Sequence, residues 1–582
     1  MSKILLVNPN KWGRGITAIW IASHSGILKK HGHSVELFDG TFYKKWTVDE
    51  TSYNTKNMQY KETSYADLVK YTDNDIIESL QLKVDSFQPD IIFWSAISSH
   101  IHGEGEYVNI QYGYDLVSSI KTSAQLITGG LQATSDPRSL MKLMQKANAI
   151  ITGESELVLL ELADSVNKKT QYKVNGVTYR DKNGDLITNS KQKIISNLDV
   201  LGSYDYSLFD DQVFFRPYNG EVVRAVDYEL SRGCIYACEY CVETVIQRYY
   251  GFKEISKRGS IRRANQYLRN KSAENIFKEI KELNENKGIQ LFRCQDTNFL
   301  TISRPVLHEL SELMDQSGLD VRLYIETRPE GINTKSVDLL KKLKVDGVGM
   351  GIELAGDEFR EDKLGRFAST ERIVNAFKLL KEAGIKRTTY NIIGLPEQDE
   401  NSIISTIEFN IQLDPDNATV AFYSPYIGTA QQIKSKELGY FDDYEFEVDG
   451  QLRTLSKDSL VDSKTLQFYK EKFNSNIKKQ VNHLINEINR SKWVNDKMIG
   501  CASIILSGLS YKDEKYLNYG LNLLKQIINF SFDSQNFPKS RNFRQLTFYL
   551  KYFILIREWL KESQNEIPEY LNEIIFFLGQ NY

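Results

Sequence analysis

The chain has 582 residues, enough for three or four domains, and its 73 lysines and arginines against 76 aspartates and glutamates give a formal net charge of -3. This near-neutral charge argues against a general nucleic-acid binder, and without a long uncharged apolar run the sequence predicts no membrane span. Five cysteines in this length exclude a disulfide framework and indicate a reducing compartment, so we expect a cytoplasmic protein.

Residues 1–165 alternate between apolar strands and helix-like stretches. The chain opens directly on the first strand, with no pattern of a secretory signal. The alternation predicts a doubly wound, flavodoxin-like α/β domain, in which ligands bind beyond the carboxyl ends of the strands. The small or polar residues at those ends include Asn8, Ser95, Gly129 and Gly130.

Residues 166–224 read as a connector between two domains. Two Asn-Gly turns within residues 174–187 predict a β-hairpin there. We expect the connector to orient the domains on either side of it and to carry no chemistry.

Residues 225–430 repeat a strand followed by a helix six times. This repeat predicts a partial (β/α)6 barrel of the TIM type, whose function lies on the carboxyl face of its strands. The predicted strands are residues 226–231, 290–294, 321–326, 347–353, 387–393 and 419–423.

Residues 431–582 change character. Long stretches with one apolar face and one charged face predict a helical C-terminal region. Its apolar runs are too short to cross a bilayer, so we assign them to a core.

Three cysteines crowd into one short loop after the first predicted barrel strand. Cys234, Cys238 and Cys241 are separated by three and then two residues, so a single loop aims three thiolates at one point. Structural zinc and ordinary iron–sulfur clusters take four protein ligands, whereas three thiolates on a four-iron cluster leave one iron open. The alternative is a zinc loop with a fourth ligand from elsewhere, or a chance grouping.

This loop resembles the signature of the radical SAM superfamily, including the aromatic Tyr240 before the third cysteine. The resemblance implies that the three cysteines bind a catalytic [4Fe-4S] cluster and that S-adenosylmethionine (SAM) chelates its open iron. It also implies reductive cleavage of SAM to a 5′-deoxyadenosyl radical. The electron would come from a donor such as flavodoxin or ferredoxin.

The resemblance continues along the barrel and implies roles for five further residues. Asp296 matches the residue that pairs with the SAM amine, Glu353 the one that meets the ribose, and Arg366 the one near the carboxylate. Gly394 matches the turn that meets the adenine, and Tyr423 the end of the sixth strand.

The first domain resembles the cobalamin-binding domain that precedes many radical SAM barrels. The resemblance is carried by residues 7–9, 30–35, 129–134 and 153–156. The Asp-x-His-x-x-Gly motif that supplies a cobalt ligand in some cobalamin proteins does not occur, so we expect cobalamin to be held without a protein histidine. We expect the loops at Asn8, Ser95, Gly129 and Gly130 to hold the cobalamin. The domain does contain histidines, but none of them stands in the cobalt-binding motif: His24, His31, His33, His100 and His102.

The expected function is therefore that of a cobalamin-dependent radical SAM enzyme. Methyl transfer is the favoured reaction, with cyclisation or rearrangement as related carbon-centred outcomes, on a small molecule such as a glycan or secondary-metabolite precursor. Two alternatives stay open: a radical SAM enzyme without cobalamin, and a non-catalytic zinc or iron–sulfur binding module.

Overall fold

The computed structural model describes residues 1–48, 50–64, 67–95, 110–166, 168, 171–423, 426–439, 460–511 and 513–580. They form two compact units, Met1–Phe473 and Asn474–Tyr582. The finer division into four domains stays a prediction.

The first unit begins with a seven-stranded sheet in the order β2-β1-β3-β4-β5-β6-β7, with β1 to β5 parallel and β6 and β7 antiparallel. The order of the parallel strands is that of a flavodoxin-like sheet, as predicted. The hairpin expected within residues 174–187 is present as β6 and β7, and it extends this sheet. The elements are β1 (Lys3–Asn8), α1 (Ile19–Lys30), β2 (Ser34–Asp39), α2 (Glu50–Lys56), α3 (Ile76–Phe87), β3 (Ile91–Trp94), α4 (Ile110–Ser118), β4 (Gln125–Gly129), α5 (Leu131–Ser135), α6 (Pro137–Leu143), β5 (Ala149–Ile151), α7 (Glu156–Asp164), β6 (Val177–Arg180) and β7 (Leu186–Thr188).

A second seven-stranded sheet follows in the order β16-β15-β14-β13-β12-β9-β8. Six of its strands run parallel and β8 pairs antiparallel with β9, so the predicted six-stranded partial barrel is confirmed, with one added edge strand. The strands are β8 (Phe215–Tyr218), β9 (Glu221–Tyr228), β12 (Leu291–Cys294), β13 (Arg322–Glu326), β14 (Val345–Glu353), β15 (Lys386–Ile393) and β16 (Asn417–Phe422). A separate two-stranded ribbon joins β10 (Ser231–Arg232) to β11 (Arg269–Asn270).

The helices between these strands have clear start and stop signals. For example, the Ser272 side chain accepts a hydrogen bond from the Asn275 N–H at the start of one helix, and Gly288 with φ of +62° ends it. Their apolar faces pack on the sheet and bury one continuous core. The helices are α8 (Glu243–Tyr249), α9 (Ala264–Tyr267), α10 (Ala273–Lys287), α11 (Arg304–Ser317), α12 (Thr334–Lys342), α13 (Asp357–Leu364), α14 (Thr370–Glu382), α15 (Glu400–Leu413) and α16 (Ala430–Glu437).

The remaining elements are helical, as predicted for the C-terminal region. Gly508 and Gly520 let two of these helices approach closely, since a Cβ at Gly520 would lie 2.5 Å from the Ile505 side chain. Cys501 is fully buried at this contact. The helices are α17 (Ser463–Arg490), within which the unit boundary falls, α18 (Val494–Tyr511), α19 (Glu514–Ser531), α20 (Phe543–Glu562) and α21 (Glu569–Gln580). Across the described ranges, no helix is both long and apolar enough to cross a membrane.

Candidate active site at the carboxyl end of the barrel

The cysteine loop leaves the barrel through β10 and lies at the carboxyl end of the sheet. Gly233, with φ of +100°, makes the turn, because a Cβ there would lie 2.7 Å from the Tyr267 carbonyl oxygen. Cys234 and Cys238 are buried and Cys241 is half-buried. Burial raises the pKa of Cys234 to about 12 and that of Cys241 well above its usual value, so both thiols stay neutral until a metal replaces the proton.

The structure places all three thiols in one loop. Among the described residues, no group of three His, Cys, Asp or Glu side chains has the arrangement of a site for a single metal ion. Structural zinc takes four protein ligands, whereas three thiolates on a four-iron cluster leave one iron open. Binding of a cluster by Cys234, Cys238 and Cys241 stays a prediction.

Arg328, at the end of β13, contacts this loop directly. Its Nη1 donates a hydrogen bond to Cys238 Sγ at 2.9 Å, and its Nη2 lies 2.5 Å from Glu330 Oε1. The guanidinium also lies 3.7 Å from the centre of the Tyr236 ring. Arg328 is thus a buried cation held against Cys238, a role that its position at a strand end alone did not indicate.

Three of the predicted SAM residues meet at one place. Tyr240 donates a hydrogen bond to Glu353 Oε1 at 2.7 Å, and Arg366 Nη1 donates to the Tyr240 hydroxyl at 3.2 Å. Arg366 also donates to the carbonyl of Gly351. Glu353 has a positive φ of 62° where β14 loses its register with β15, which is the kind of backbone strain found at ligand sites. The Arg366 Nε is buried without a hydrogen bond, so one donor is left for a ligand such as a carboxylate.

Asp296 does not join Glu353 and Arg366, the other two residues predicted to bind the polar groups of SAM. It is fully buried, and its Oδ1 accepts hydrogen bonds from the backbone N–H of Leu230, at 3.1 Å, and of Ser231, at 2.6 Å, and from the Ser231 hydroxyl at 2.5 Å. Burial raises its pKa to about 7. Asp296 thus holds the chain between β9 and β10, which explains why the predicted strand 226–231 is divided in two. The contact of Asp296 with the SAM amine stays a prediction. Glu330 offers another carboxylate oxygen, since its Oε2 is buried without a hydrogen bond.

Gly394 and Tyr423 lie at the ends of β15 and β16. The Gly394 N–H donates to Gln398 Oε1 at 2.7 Å, and its φ of +83° suits glycine in this turn. The buried Tyr423 hydroxyl lies 3.1 Å from Ser435 Oγ. Their SAM contacts also stay predictions.

A buried ionic network joins the first sheet to the cysteine loop. Arg232, two residues before Cys234, contacts Glu156 Oε1 at 2.6 Å, Glu229 Oε1 at 2.8 Å and Glu154 Oε1 at 3.3 Å. Arg269 also pairs with Glu154, at 2.8 Å. None of these side chains is more than 5% exposed, so the network fixes the cysteine loop relative to the first sheet.

A small cavity of about 50 Å³ lies at the carboxyl ends of β3, β4 and β5. Ser95 and Gly130 line it, together with His24 and the network residue Arg232. This is where a doubly wound sheet binds its ligands, and the volume of the cavity corresponds to about one or two water molecules. Both ring nitrogens of His24 are engaged, with the Trp20 carbonyl at 2.6 Å and Ser155 Oγ at 2.9 Å.

The other residues assigned to cobalamin serve the first sheet. Asn8 Nδ2 donates to Asp39 Oδ1 at 3.1 Å, and the carbonyl of Gly129 accepts a hydrogen bond from Ser95 Oγ at 3.0 Å. His31 and His33 contact neighbouring polar groups of their own domain. The assignments therefore stay predictions, and His100 and His102 lie outside the described residues.

Residues 228–409 match the family model described as the radical SAM superfamily. The chain therefore contains a radical SAM domain. This match covers the cysteine loop and the strands β12 to β15, and it confirms the family predicted from the three cysteines.

Three related proteins match between 60% and 76% of the chain. The chain is 25% identical over 347 residues to an uncharacterized methyltransferase of Pyrococcus horikoshii, covering 60% of this chain and 69% of the relative. It is 22% identical over 460 residues to the anaerobic magnesium-protoporphyrin IX monomethyl ester cyclase of Rubrivivax gelatinosus, covering 76% and 72%. A third relative is the cytidylyl-2-hydroxyethylphosphonate methyltransferase of Streptomyces wedmorensis, 21% identical over 447 residues, covering 71% and 76%.

Two solved radical SAM structures share the fold. One is TsrM of Kitasatospora setae, a methyltransferase with cobalamin and a [4Fe-4S] cluster bound, with a TM-score of 0.53 and 16% identity over 77% of this chain and 80% of TsrM. The other is OxsB, a cobalamin-dependent radical enzyme, with a TM-score of 0.53 and 13% identity over 100% of this chain and 84% of OxsB. These likenesses confirm the predicted fold class.

Proposed function

We propose that the protein is a cobalamin-dependent radical SAM methyltransferase. The observation that carries this proposal is the buried network between Arg232 and the glutamates of the first sheet, because it fixes a cobalamin-type domain next to the cysteine loop. The bound cofactors of TsrM and OxsB, and the methyltransferases among the relatives, support the same function.

Different residues of the chain hold the cluster and SAM. When bound, the cluster supplies the electron that cleaves SAM to methionine and a 5′-deoxyadenosyl radical, and cobalamin carries a methyl group. Cys234, Cys238 and Cys241 hold the cluster. Glu353 and Arg366 orient SAM, and the barrel walls exclude water from the radical.

We propose that cobalamin is held by the loops around Asn8, Ser95 and Gly129, with Gly130 at the cavity, and without a protein ligand to cobalt. The engaged ring nitrogens of His24 support this proposal. Electron paramagnetic resonance of the cobalt(II) form tests it. We expect no nitrogen hyperfine splitting from a protein imidazole, and splitting that disappears in His100→Ala or His102→Ala would contradict the proposal.

The reaction is tested by product analysis under reducing conditions with candidate small-molecule substrates. A methyltransferase that uses both cofactors produces S-adenosylhomocysteine and 5′-deoxyadenosine in equal amounts. The cyclase among the relatives provides a second candidate reaction. If SAM carries a labelled methyl group, formation of 5′-deoxyadenosine without transfer of that methyl group to the product would favour cyclisation or rearrangement. The electron donor in the cell is proposed to be a flavodoxin or ferredoxin.

A further inference from the structure

The barrel encloses a lumen whose wall is built around a row of glycines. Gly347 and Gly349 of β14 alternate along one face of the sheet, and a Cβ at Gly349 would lie 2.5 Å from the Tyr390 hydroxyl and 2.8 Å from that of Tyr324. The two tyrosine side chains therefore cross β14 on its lumen side. Their hydroxyls lie 2.9 Å apart, and Tyr390 donates to Glu326 Oε1 at 3.2 Å.

Arg293 belongs to the same layer of the lumen. On β12 it is aligned with Asp227 of β9 on one side and with Tyr324 of β13 on the other, so the three side chains point the same way. Only Cys294 follows it in β12, so Arg293 lies just inside the carboxyl face that carries the cysteine loop. The residue as a whole is half-buried, and its guanidinium lies 5.8 Å from the centre of the Tyr324 ring.

The carboxylate of Asp227 accepts hydrogen bonds from several other groups. Its Oδ2 accepts from Arg216 Nη1 at 2.8 Å and from the N–H of Thr17 at 3.1 Å, and its Oδ1 accepts from Gln295 Nε2 at 3.0 Å. Asp227 and Arg216 form a buried pair in which both side chains are 3% exposed. Asp227 also attracts Arg293, whose pKa it raises against the opposing effect of burial, so a single carboxylate faces the guanidinium groups of both Arg216 and Arg293.

Arg293 makes no direct side-chain hydrogen bond or ion pair within the described part of the chain, and Asp227, the carboxylate that attracts it, is already bound by Arg216. Charged groups within proteins are normally paired, since removing them from water is costly. A guanidinium has a planar fork of donors that matches a carboxylate or a phosphate. The unmatched fork is therefore suited to an anion that enters the lumen.

We propose that Arg293 binds an oxyanion of the substrate, a carboxylate or a phosphate, and that Tyr324, Tyr390 and Glu326 form the adjacent polar wall. This proposal rests on the proposed function, because it places the substrate in the lumen beside the SAM residues. It assigns an anionic substrate class, and it disfavours a substrate whose only charge is an amine.

The test uses inorganic phosphate and acetate as probes on the full-length, cluster-reconstituted protein at constant ionic strength set with chloride. Binding is followed by thermal shift and, for phosphate, by ³¹P line broadening. Arg293→Gln is compared with Arg262→Gln, an exposed arginine that lies 3.6 Å from Glu254. Iron content and circular dichroism establish that each variant is folded, and Arg293→Lys provides a second variant that keeps the charge without the fork.

We expect saturable binding of at least one probe to the wild type, at least tenfold weaker binding to Arg293→Gln, an intermediate affinity for Arg293→Lys, and no change in Arg262→Gln. Tighter phosphate binding would identify a phosphorylated substrate, and tighter acetate binding a carboxylic acid. Equal affinity in wild type and Arg293→Gln, or no saturable binding to the wild type, would overturn the proposal. Since anion binding needs neither SAM nor cobalamin, this outcome is independent of the cobalamin and product tests of the proposed function.

Discussion

Replacing Arg232 with methionine should destabilise the first unit more than any exposed charge change. The substitution removes the shared partner of Glu154, Glu156 and Glu229 and keeps a side chain of similar length. In the wild type, Arg232 is the strongest influence that opposes burial and holds the pKa of Glu156 at about 2. A depression from 4.5 to about 2 corresponds to about 3 kcal/mol, within the range of about 3–5 kcal/mol for breaking a buried ion pair.

The assay is pulse proteolysis in urea at pH 7.5, with Arg262→Met as the matched control because its ion pair is 69% exposed on both sides. We expect Arg232→Met to lose about 3 kcal/mol of apparent unfolding free energy and the control less than about 1 kcal/mol. The Glu156 contribution is fully present above pH 4.5 and is lost as the pH falls towards about 2, so the difference should shrink in that window. A loss below about 1 kcal/mol at pH 7.5 would refute the role given to the network.

Three further predictions concern residues of the site. Arg328→Gln should keep the iron content but lower the midpoint potential of the cluster by about 40 mV, equivalent to about 1 kcal/mol, because a cation beside Cys238 favours the reduced, more negative cluster. The potential is measured by a redox titration followed by electron paramagnetic resonance, and an unchanged value would count against the contact. Asp296 has a pKa of about 7 in the folded chain, so between about pH 4 and 7 the folded state keeps a proton that the unfolded state loses, and stability falls by up to about 1.4 kcal/mol per pH unit. Urea midpoints from pH 5 to 8 should therefore fall less steeply in Asp296→Asn, and parallel pH profiles would contradict this. Glu353→Gln should weaken SAM binding, measured by calorimetry, by about 1–3 kcal/mol with iron content intact; the exposed Glu358→Gln is its control, and equal affinities would exclude Glu353 from the SAM site.

Much of the fold follows from periodicity in the sequence. The strands of both sheets are apolar runs that end in glycine or polar residues, and parallel strands bring those ends to one edge. The meeting of Tyr240, Glu353 and Arg366 was instead implied by the resemblance to the radical SAM superfamily, because two of them lie outside the strands. The first barrel strand was predicted at residues 226–231 but spans Glu221–Tyr228. It begins earlier because it pairs with β8 from Glu221 onward, and it ends earlier because Asp296 binds the backbone of the following turn.

Contacts between charged side chains were harder to predict. Glu154 and Glu156 belong to the segment 153–156 that carries the resemblance to a cobalamin-binding domain, and nothing in that resemblance predicted their burial against Arg232. Periodicity predicts which face of a strand a residue occupies but not which of several carboxylates an arginine selects. Arg328 follows the end of β13 and Arg293 lies next to the end of β12, and only the three-dimensional structure shows that Arg328 contacts Cys238 whereas Arg293 shares the carboxylate of Asp227 with Arg216.

The most direct test of the account is the iron and electron paramagnetic resonance analysis of the anaerobically reconstituted, reduced protein with and without SAM. We expect about four irons per chain from one cluster, a spectrum of a reduced [4Fe-4S] centre that changes when SAM binds the open iron, and loss of both in Cys238→Ala. Cys501→Ala is the control, because that thiol is buried in the second unit. Stoichiometric zinc in place of iron, or a cluster spectrum that SAM does not alter, would contradict a radical SAM centre at Cys234, Cys238 and Cys241.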